Sequence, residues 1–113
     1  MKEKLEKDIQ REICDYLYEK NYFFWRQNNV PVFAKSNDGV MRFRALPKYT
    51  LKGIPDILLL HKGMFCGFEV KRPCAVLRPE QEIFGNMIKL NGGLYFVVTS
   101  LLEVQSILGE NLK

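Results

Sequence analysis

The chain has 113 residues, of which 47% are hydrophobic and 27% are charged, and its formal net charge is +4 with a pI near 9.0. This is the composition of a folded globular domain, and it excludes a disordered chain. No apolar run approaches the ~20 residues that a membrane-spanning helix needs, and the charged N-terminus lacks a signal-peptide core. We therefore expect a single domain, 1–113, that is soluble and cytoplasmic, with a mildly basic charge that suits a polyanionic partner.

Cysteine usage is typical of a reducing compartment. Cys14, Cys66 and Cys74 form no CxxC pair and are odd in number, so we expect reduced thiols. Only His61 could join them as a ligand, and a zinc site is not expected. No feature of the sequence indicates a small-molecule organic cofactor.

The first predicted element is a helix over Lys2–Lys20. On a helical wheel Glu6 falls inside the apolar stripe rather than at its edge, and Gln10 borders the same side. A carboxylate in that position needs a partner, for which a metal ion at the end of the sheet is one candidate. The alternative is a glutamate that stabilises the helix dipole from the first turn. The stripe itself consists of Leu5, Ile9, Ile13, Tyr16 and Leu17.

A strand is predicted over Tyr22–Arg26, which is rich in aromatic residues. Alternation sends Tyr22, Phe24 and Arg26 to one side and the other two aromatic residues to the opposite side. Both sides are therefore expected to be covered, by helices or by another subunit. Arg26 is a candidate phosphate contact, with an ordinary surface arginine as the alternative.

The segment 28–52 contains the densest basic patch of the sequence, and within it Val40–Leu46 predicts a short strand with a basic face. Ahead of an acidic site, such a patch is typical of a surface that contacts the DNA backbone. Solvated loop lysines are the alternative interpretation. The basic residues are Lys35, Arg42, Arg44, Lys48 and Lys52.

A hairpin is predicted next, with strands Ile57–Leu60 and Met64–Val70 around a Lys62-Gly63 turn. Into this apolar hairpin the sequence places Asp56, Glu69 and Lys71, the last two on one face because they are two residues apart. Buried charges need compensation. A bound Mg²⁺ or Mn²⁺ would supply it, since carboxylate oxygens suit these ions. The alternative is a Glu–Lys pair on a solvated strand face, with Asp56 starting a turn.

The remaining elements are a helix that begins at Pro79 and ends at Gly92-Gly93, a buried strand over Leu94–Thr99, and a last helix capped by Ser100 and Glu103. The order α-β-β-ββ-α-β-α predicts an α/β fold with a central mixed sheet flanked by helices. Two core faces are predicted: Ile83, Met87 and Leu90 in the first of these helices, and Leu101, Val104 and Leu108 in the last.

The spacing of Pro55-Asp56 and Glu69-Val70-Lys71 resembles the PD…(D/E)xK signature of the restriction-endonuclease-like nucleases. More narrowly, the chain is similar to the virus-type replication-repair nuclease (VRR-Nuc) branch in its short, stand-alone viral form. The similar stretches follow one another in the family's order: Lys4–Gln10, Lys52–Asp56, Phe68–Lys71, Leu77–Gln81 and Gly92-Gly93.

The resemblance implies a restriction-endonuclease-like core and a Mg²⁺- or Mn²⁺-dependent DNA endonuclease. Asp56 and Glu69 would hold the metal with the backbone carbonyl of Val70, and Lys71 would assist the attacking water. It also implies that Glu6 joins the metal site and that Gln81, otherwise an exposed helix residue, lies beside the active site.

For the substrate, the resemblance implies branched DNA such as a four-way (Holliday) junction, cut by a homodimer that could associate through Tyr22–Trp25. The alternative is a non-catalytic DNA-binding module that uses the basic 35–52 region. The intact set of Asp56, Glu69 and Lys71 argues against it. A small protein-interaction domain is a third interpretation, supported only by the exposed aromatic residues.

Overall fold

The computed structural model describes residues 4–27, 33–35, 37–43 and 48–112, with the backbone alone for 33–35 and 41–43. None of the helices described in these ranges is long and apolar enough to cross a membrane. In chain order the elements are α1 (Glu6–Glu19), β1 (Phe24–Arg26), β2 (Phe33–Lys35), β3 (Met41–Phe43), β4 (Ile57–His61), β5 (Met64–Val70), α2 (Pro79–Leu90), β6 (Leu94–Val98) and α3 (Leu101–Asn111).

The central sheet has four strands in the order β1-β4-β5-β6. The pairs β1/β4 and β4/β5 are antiparallel, whereas β5 and β6 are parallel and are joined through α2. The predicted α/β fold with a mixed sheet flanked by helices is therefore confirmed. One difference is that β3 pairs with the unpredicted strand β2 in a separate two-stranded sheet. Of the strand predicted over Val40–Leu46, the last three residues lie outside the described part of the chain.

The predicted hairpin of β4 and β5 is confirmed, and its turn sets the register of the site. Lys62 and Gly63 both have positive φ, 48° and 84°, as a tight hairpin turn requires. The pairing then runs from His61 opposite Met64 to Ile57 opposite Phe68. Asp56 consequently lies directly before Ile57, the first residue of β4, and beside the end of β5.

One face of the sheet packs on α1 and α3 to form the hydrophobic core. The apolar stripes predicted for these two helices are confirmed in their buried members, although α1 begins at Glu6 and Leu5, its N-cap residue, is 46% exposed. Because Phe68 and Val70 fill this core, the residues between and after them face the other side. The main contributors are Ile9, Ile13, Leu17, Phe68, Val70, Val104 and Leu108.

The core face predicted for α2 is wrong. The buried residues of this helix are Gly85 and Ile88. A Cβ added at Gly85 would lie 2.4 Å from a ring carbon of Tyr95, so the helix presents its smallest residue to the sheet. This close approach rotates the apolar stripe outward. Each of the three residues predicted to face the core is more than half exposed: Ile83, Met87 and Leu90.

Within the described residues, helices cover one side of β1. Tyr22 and Phe24 pack against the core, as alternation predicts. On the other side Phe23 is 66% exposed and Trp25 is 37% exposed, with their ring centroids 5.8 Å apart. The part of the chain that the structure describes therefore does not cover this second side, which was predicted to be covered by helices or by another subunit.

Candidate active site

Asp56 is fixed by hydrogen bonds to two different strands. Its backbone carbonyl accepts a 2.8 Å hydrogen bond from the N–H of Gln27, just after β1. Its carboxylate oxygen Oδ2 accepts another, also 2.8 Å long, from the N–H of Val70 at the end of β5. Asp56 therefore has little freedom, and its carboxylate is aimed at the last residues of β5.

Glu69 and Lys71 lie on the face of β5 opposite the hydrophobic core, as alternation predicts. Glu69 is 1% exposed and Lys71 is 8% exposed. The backbone N–H of Lys71 donates a 2.9 Å hydrogen bond to the carbonyl of Val98, which extends the β5/β6 pairing past the end of β5. The structure therefore buries both charged residues in the middle of the molecule, and a solvated Glu–Lys pair is excluded.

The side chains of Asp56 and Glu69, called the acidic pair from here on, are in direct contact. Burial in the first place, and then a hydrogen bond with the Asp56 side chain and its negative charge, raise the pKa of Glu69 to about 9. The positive charge of Lys71 acts in the opposite direction without cancelling the rise. At neutral pH, without a bound cation, Glu69 therefore keeps a proton that it shares with Asp56.

The acidic pair fits a divalent cation. Within residues 4–27, 33–35, 37–43 and 48–112, no group of three or more His, Cys, Asp or Glu side chains could hold a metal ion. A small number of protein ligands suits Mg²⁺, which is commonly bound by one or two carboxylates plus water and substrate phosphate oxygens. Because the Val70 N–H points at Asp56, the Val70 carbonyl lies on the same edge of the strand and adds a third hard oxygen.

Glu6 lies at the start of α1, and its part in the metal site stays a prediction. It is the first residue of α1 and is partly buried, as is Gln10 one turn later. The first turn of α1 does lie at this end of the sheet, since Lys4 and Ile9 line a cleft together with Thr99. A third carboxylate in one group with the acidic pair is nevertheless absent from the described residues.

Gln81 lies in the first turn of α2, where its side chain caps the helix. Its Oε1 accepts a 2.9 Å hydrogen bond from the backbone N–H of Arg78. This turn packs directly on Gly53, because a Cβ at Gly53 would be 2.2 Å from the Glu80 carbonyl oxygen. Gly53 stands shortly before Asp56 in the chain, so Gln81 is held close to the loop that carries this site residue.

The predicted DNA-contacting residues are described only in part. Arg26 shares a face of β1 with Phe24, which packs against the core, so Arg26 lies on the α1 side of the sheet. Lys52 is exposed beside Gly53, and Lys48 is exposed with Nζ 5.2 Å from the Tyr49 ring centroid. The side chains of Lys35 and Arg42, and the whole of Arg44, lie outside the described residues.

One residue beside the acidic pair escaped the sequence analysis, which treated Leu94–Thr99 as an apolar strand. Burial first, followed by the negative charges of Glu69 and Asp56, raises the pKa of Tyr95 to about 12. Its hydroxyl is thus within the electrostatic reach of both acids. The signal in the sequence is faint: one hydroxyl in an apolar strand, and a glycine, Gly85, in the middle of a helix.

No protein-family model matches the chain, and no curated protein matches it. Among solved structures, a chain described as a VRR_NUC domain is similar with a TM-score of 0.64 and 18% sequence identity, over 94% of this chain and 96% of that chain. The chain thus has the fold of a VRR_NUC domain, as the sequence predicts. Since a fold can carry different functions, the function has to be argued from the site.

Proposed function

We propose that the chain is a Mg²⁺- or Mn²⁺-dependent endonuclease that hydrolyses phosphodiester bonds in DNA. The observation that supports the proposal is the hydrogen bond between the partly buried side chain of Asp56 and the buried side chain of Glu69, with Lys71 buried on the same face. Burying the carboxyl group of Glu69 against a second acid costs free energy, whether the group is ionised or keeps a proton through a raised pKa. A site built for a cation and an anionic phosphate accounts for that arrangement.

The acidic pair and the Val70 carbonyl would hold the cation. When bound, a divalent cation lowers the pKa of an attacking water and neutralises charge on a phosphate oxygen. Glu69 has to release its shared proton for this, so cation binding is expected to release protons.

Lys71 supplies the positive charge of the proposed active site. Its ammonium is held on the same face as Glu69, where it can position the attacking water and stabilise the negative charge that develops on the phosphate. Gln81 supports the site from the first turn of α2, with its Oε1 engaged in the helix cap and its NH₂ group as a donor towards phosphate. The N-terminal end of α2 itself favours an anion.

DNA binding is proposed for Lys52, Lys48 and Arg26, together with Lys35, Arg42 and Arg44. Lys52 supports this best, because it is exposed next to Gly53 and so lies beside the loop that leads to Asp56. Contacts to phosphates fix the position of a protein on DNA without reading its sequence. This agrees with selection of a substrate by its branched shape.

We further propose that the enzyme acts on branched DNA as a homodimer. Phe23 and Trp25 form an exposed aromatic surface on the uncovered side of β1, which is a suitable interface for a second copy. A two-fold axis would relate the two active sites of the dimer. Paired cuts across a four-way junction require this symmetric arrangement. The three cysteines are free thiols in the structure, which supports the cytoplasmic setting.

The test of this function is cleavage of labelled four-way junction, flap and linear duplex DNA with Mg²⁺, Mn²⁺ or EDTA. We expect cutting of the branched substrates with either metal and none in EDTA. Equal cutting of linear duplex would contradict the substrate class. Binding without cutting in every condition would replace the enzyme with a non-catalytic DNA-binding module.

Dimer formation is tested separately by sedimentation of the wild type and of Trp25→Glu at the concentrations used for cleavage. We expect a dimeric wild type and a monomeric variant, because a charge in the aromatic surface opposes its burial. A monomeric wild type would contradict the dimer and leave the chemistry of the site unaffected.

A further inference from the structure

Tyr95 lies on the same face of the sheet as the acidic pair. In the parallel β5/β6 pairing, Tyr95 is opposite Gly67, and Val97 is opposite Glu69. Residues paired in this way point to the same side, and residues two apart on one strand share a face. The side chains of Tyr95 and Glu69 therefore both face α2.

The ring of Tyr95 packs against a glycine of α2. Gly85 lies so close to the ring that a Cβ at this position would be 2.4 Å from a ring carbon. A glycine in a helix interior is less favourable for helix stability than alanine. Gly85 therefore lowers the stability of α2, but it leaves room for the Tyr95 ring to pack against the helix.

The hydroxyl of Tyr95 is buried without a partner. The residue is 8% exposed, and within the described part of the chain its oxygen is the one buried side-chain nitrogen or oxygen that has no hydrogen bond. A buried hydroxyl without a hydrogen-bond partner destabilises a protein, because it has lost its hydrogen bonds to water. A phenylalanine would fill the same space without that cost, so the hydroxyl calls for a reason other than packing.

The acidic pair offers such a reason. Glu69 lies on the same face of the sheet as Tyr95, and the side chain of Asp56 is aimed at the end of the same strand, β5. Carboxylates that bind a metal are usually held by additional hydrogen bonds from neighbouring groups. The Tyr95 hydroxyl is a buried donor on this face, and it has no hydrogen-bond partner within the described residues.

We infer that Tyr95 is a positioning residue whose hydroxyl donates a hydrogen bond to the ionised acidic pair when a divalent cation is bound. The inference rests on the proposed function, because it needs the acidic pair to hold a cation. The hydroxyl has no hydrogen-bond partner within the described residues, and the carboxylates that hold the cation would supply one.

The test compares wild type, Tyr95→Phe and the control Tyr16→Phe, which removes a hydroxyl from a partly buried tyrosine of α1. Mn²⁺ affinity is measured by titration calorimetry, and the stability of the cation-free protein is measured by urea unfolding. For Tyr95→Phe we expect an affinity lower by about tenfold and a urea midpoint equal to or above that of wild type. For Tyr16→Phe we expect wild-type Mn²⁺ affinity.

Any other result would contradict the proposed role of Tyr95. Wild-type Mn²⁺ affinity in Tyr95→Phe would overturn the role of Tyr95 and leave the metal site standing. A lower affinity together with a lower urea midpoint would show that the ring only packs, and would also overturn it. No Mn²⁺ binding by the wild type would overturn the proposed function, and the role of Tyr95 with it.

Discussion

The carboxylate of Asp56 accepts a 2.8 Å hydrogen bond from the backbone N–H of Val70, between the two charged residues at the end of β5. The backbone pairing of β4 with β5 stops at Ile57 and Phe68. Beyond that point, the hydrogen bond from Val70 to the Asp56 side chain connects the two strands. Asp56 thus has a structural role and a proposed role as a metal ligand, and the two can be separated by substitution.

Asp56→Asn keeps a side-chain oxygen for the Val70 N–H but loses the charge, whereas Asp56→Ala loses both. We expect the Asp56→Asn variant to fold with near wild-type stability and to bind Mn²⁺ at least about tenfold more weakly than the wild type. We expect Ala to be less stable by about 1–3 kcal/mol because a buried N–H loses its partner. Urea unfolding and titration calorimetry measure the two effects, and Asp15→Asn on the exposed side of α1 controls for lost charge. Equal stability of the Asn and Ala variants would contradict the structural role.

The shared proton of Glu69 makes the stability of the cation-free protein depend on pH. The folded pKa of about 9 is above the ordinary 4.5, so the folded state binds this proton more tightly than the unfolded chain. Its contribution is complete below the ordinary pKa and is lost as pH rises towards 9.

We therefore expect the urea midpoint in EDTA to fall between about pH 5 and about pH 9, and the fall to be much smaller in Glu69→Gln, which has no proton to lose. The wild-type slope can reach about 1.4 kcal/mol per pH unit. Glu12→Gln, on α1, is the control and should keep the wild-type slope. Identical pH profiles for wild type and Glu69→Gln would contradict the protonated pair.

Gly53 is required where the loop before Asp56 meets α2. Its φ is +78°, and a Cβ would lie 2.2 Å from the carbonyl oxygen of Glu80. Gly63 has a similar φ of +84° with nothing within 4 Å of a Cβ, and is a matched control. We expect Gly63→Ala to lose about 1 kcal/mol for backbone strain alone and Gly53→Ala to lose clearly more. Equal urea midpoints for the two variants would show that the loop and helix are not tightly packed.

Lys52 is expected to contact a DNA phosphate. In Lys52→Ala, the slope of log affinity against log salt concentration should be smaller by about 0.9, the loss of one phosphate contact. The affinity should fall equally for different sequences of the same branched DNA, since phosphates carry no sequence information. Fluorescence anisotropy in EDTA measures binding without cleavage, with Lys7→Ala on α1 as the control. An unchanged slope in Lys52→Ala would remove this residue from the DNA surface.

The sequence predicted the fold because its local signals agree with one another. Alternation placed Glu69 and Lys71 opposite Phe68, the Lys62-Gly63 turn fixed the register, and Pro79 marked the start of α2. These signals depend only on neighbours in the chain, and the structure confirms them.

The predictions fail where packing between residues that are distant in the chain determines the structure. The apolar stripe of Ile83 and Met87 indicates a core face, but the contact of Gly85 with Tyr95 turns the helix away from it. The same contact hides the hydroxyl of Tyr95 beside the acidic pair. A helical wheel of α2 contains no information about a ring that arrives from β6, so neither feature was accessible from the sequence.

The most direct test of the proposed enzyme is the rate of four-way junction cleavage in Mg²⁺, measured with enzyme in excess for wild type, Lys71→Ala and the control Lys7→Ala. Loss of a preorganised charge at the phosphate should lower the rate by about 100-fold or more, while Lys7→Ala should cut like wild type. Circular dichroism confirms that both variants are folded. Cleavage by folded Lys71→Ala at the wild-type rate would contradict the assignment of the active site to Asp56, Glu69 and Lys71.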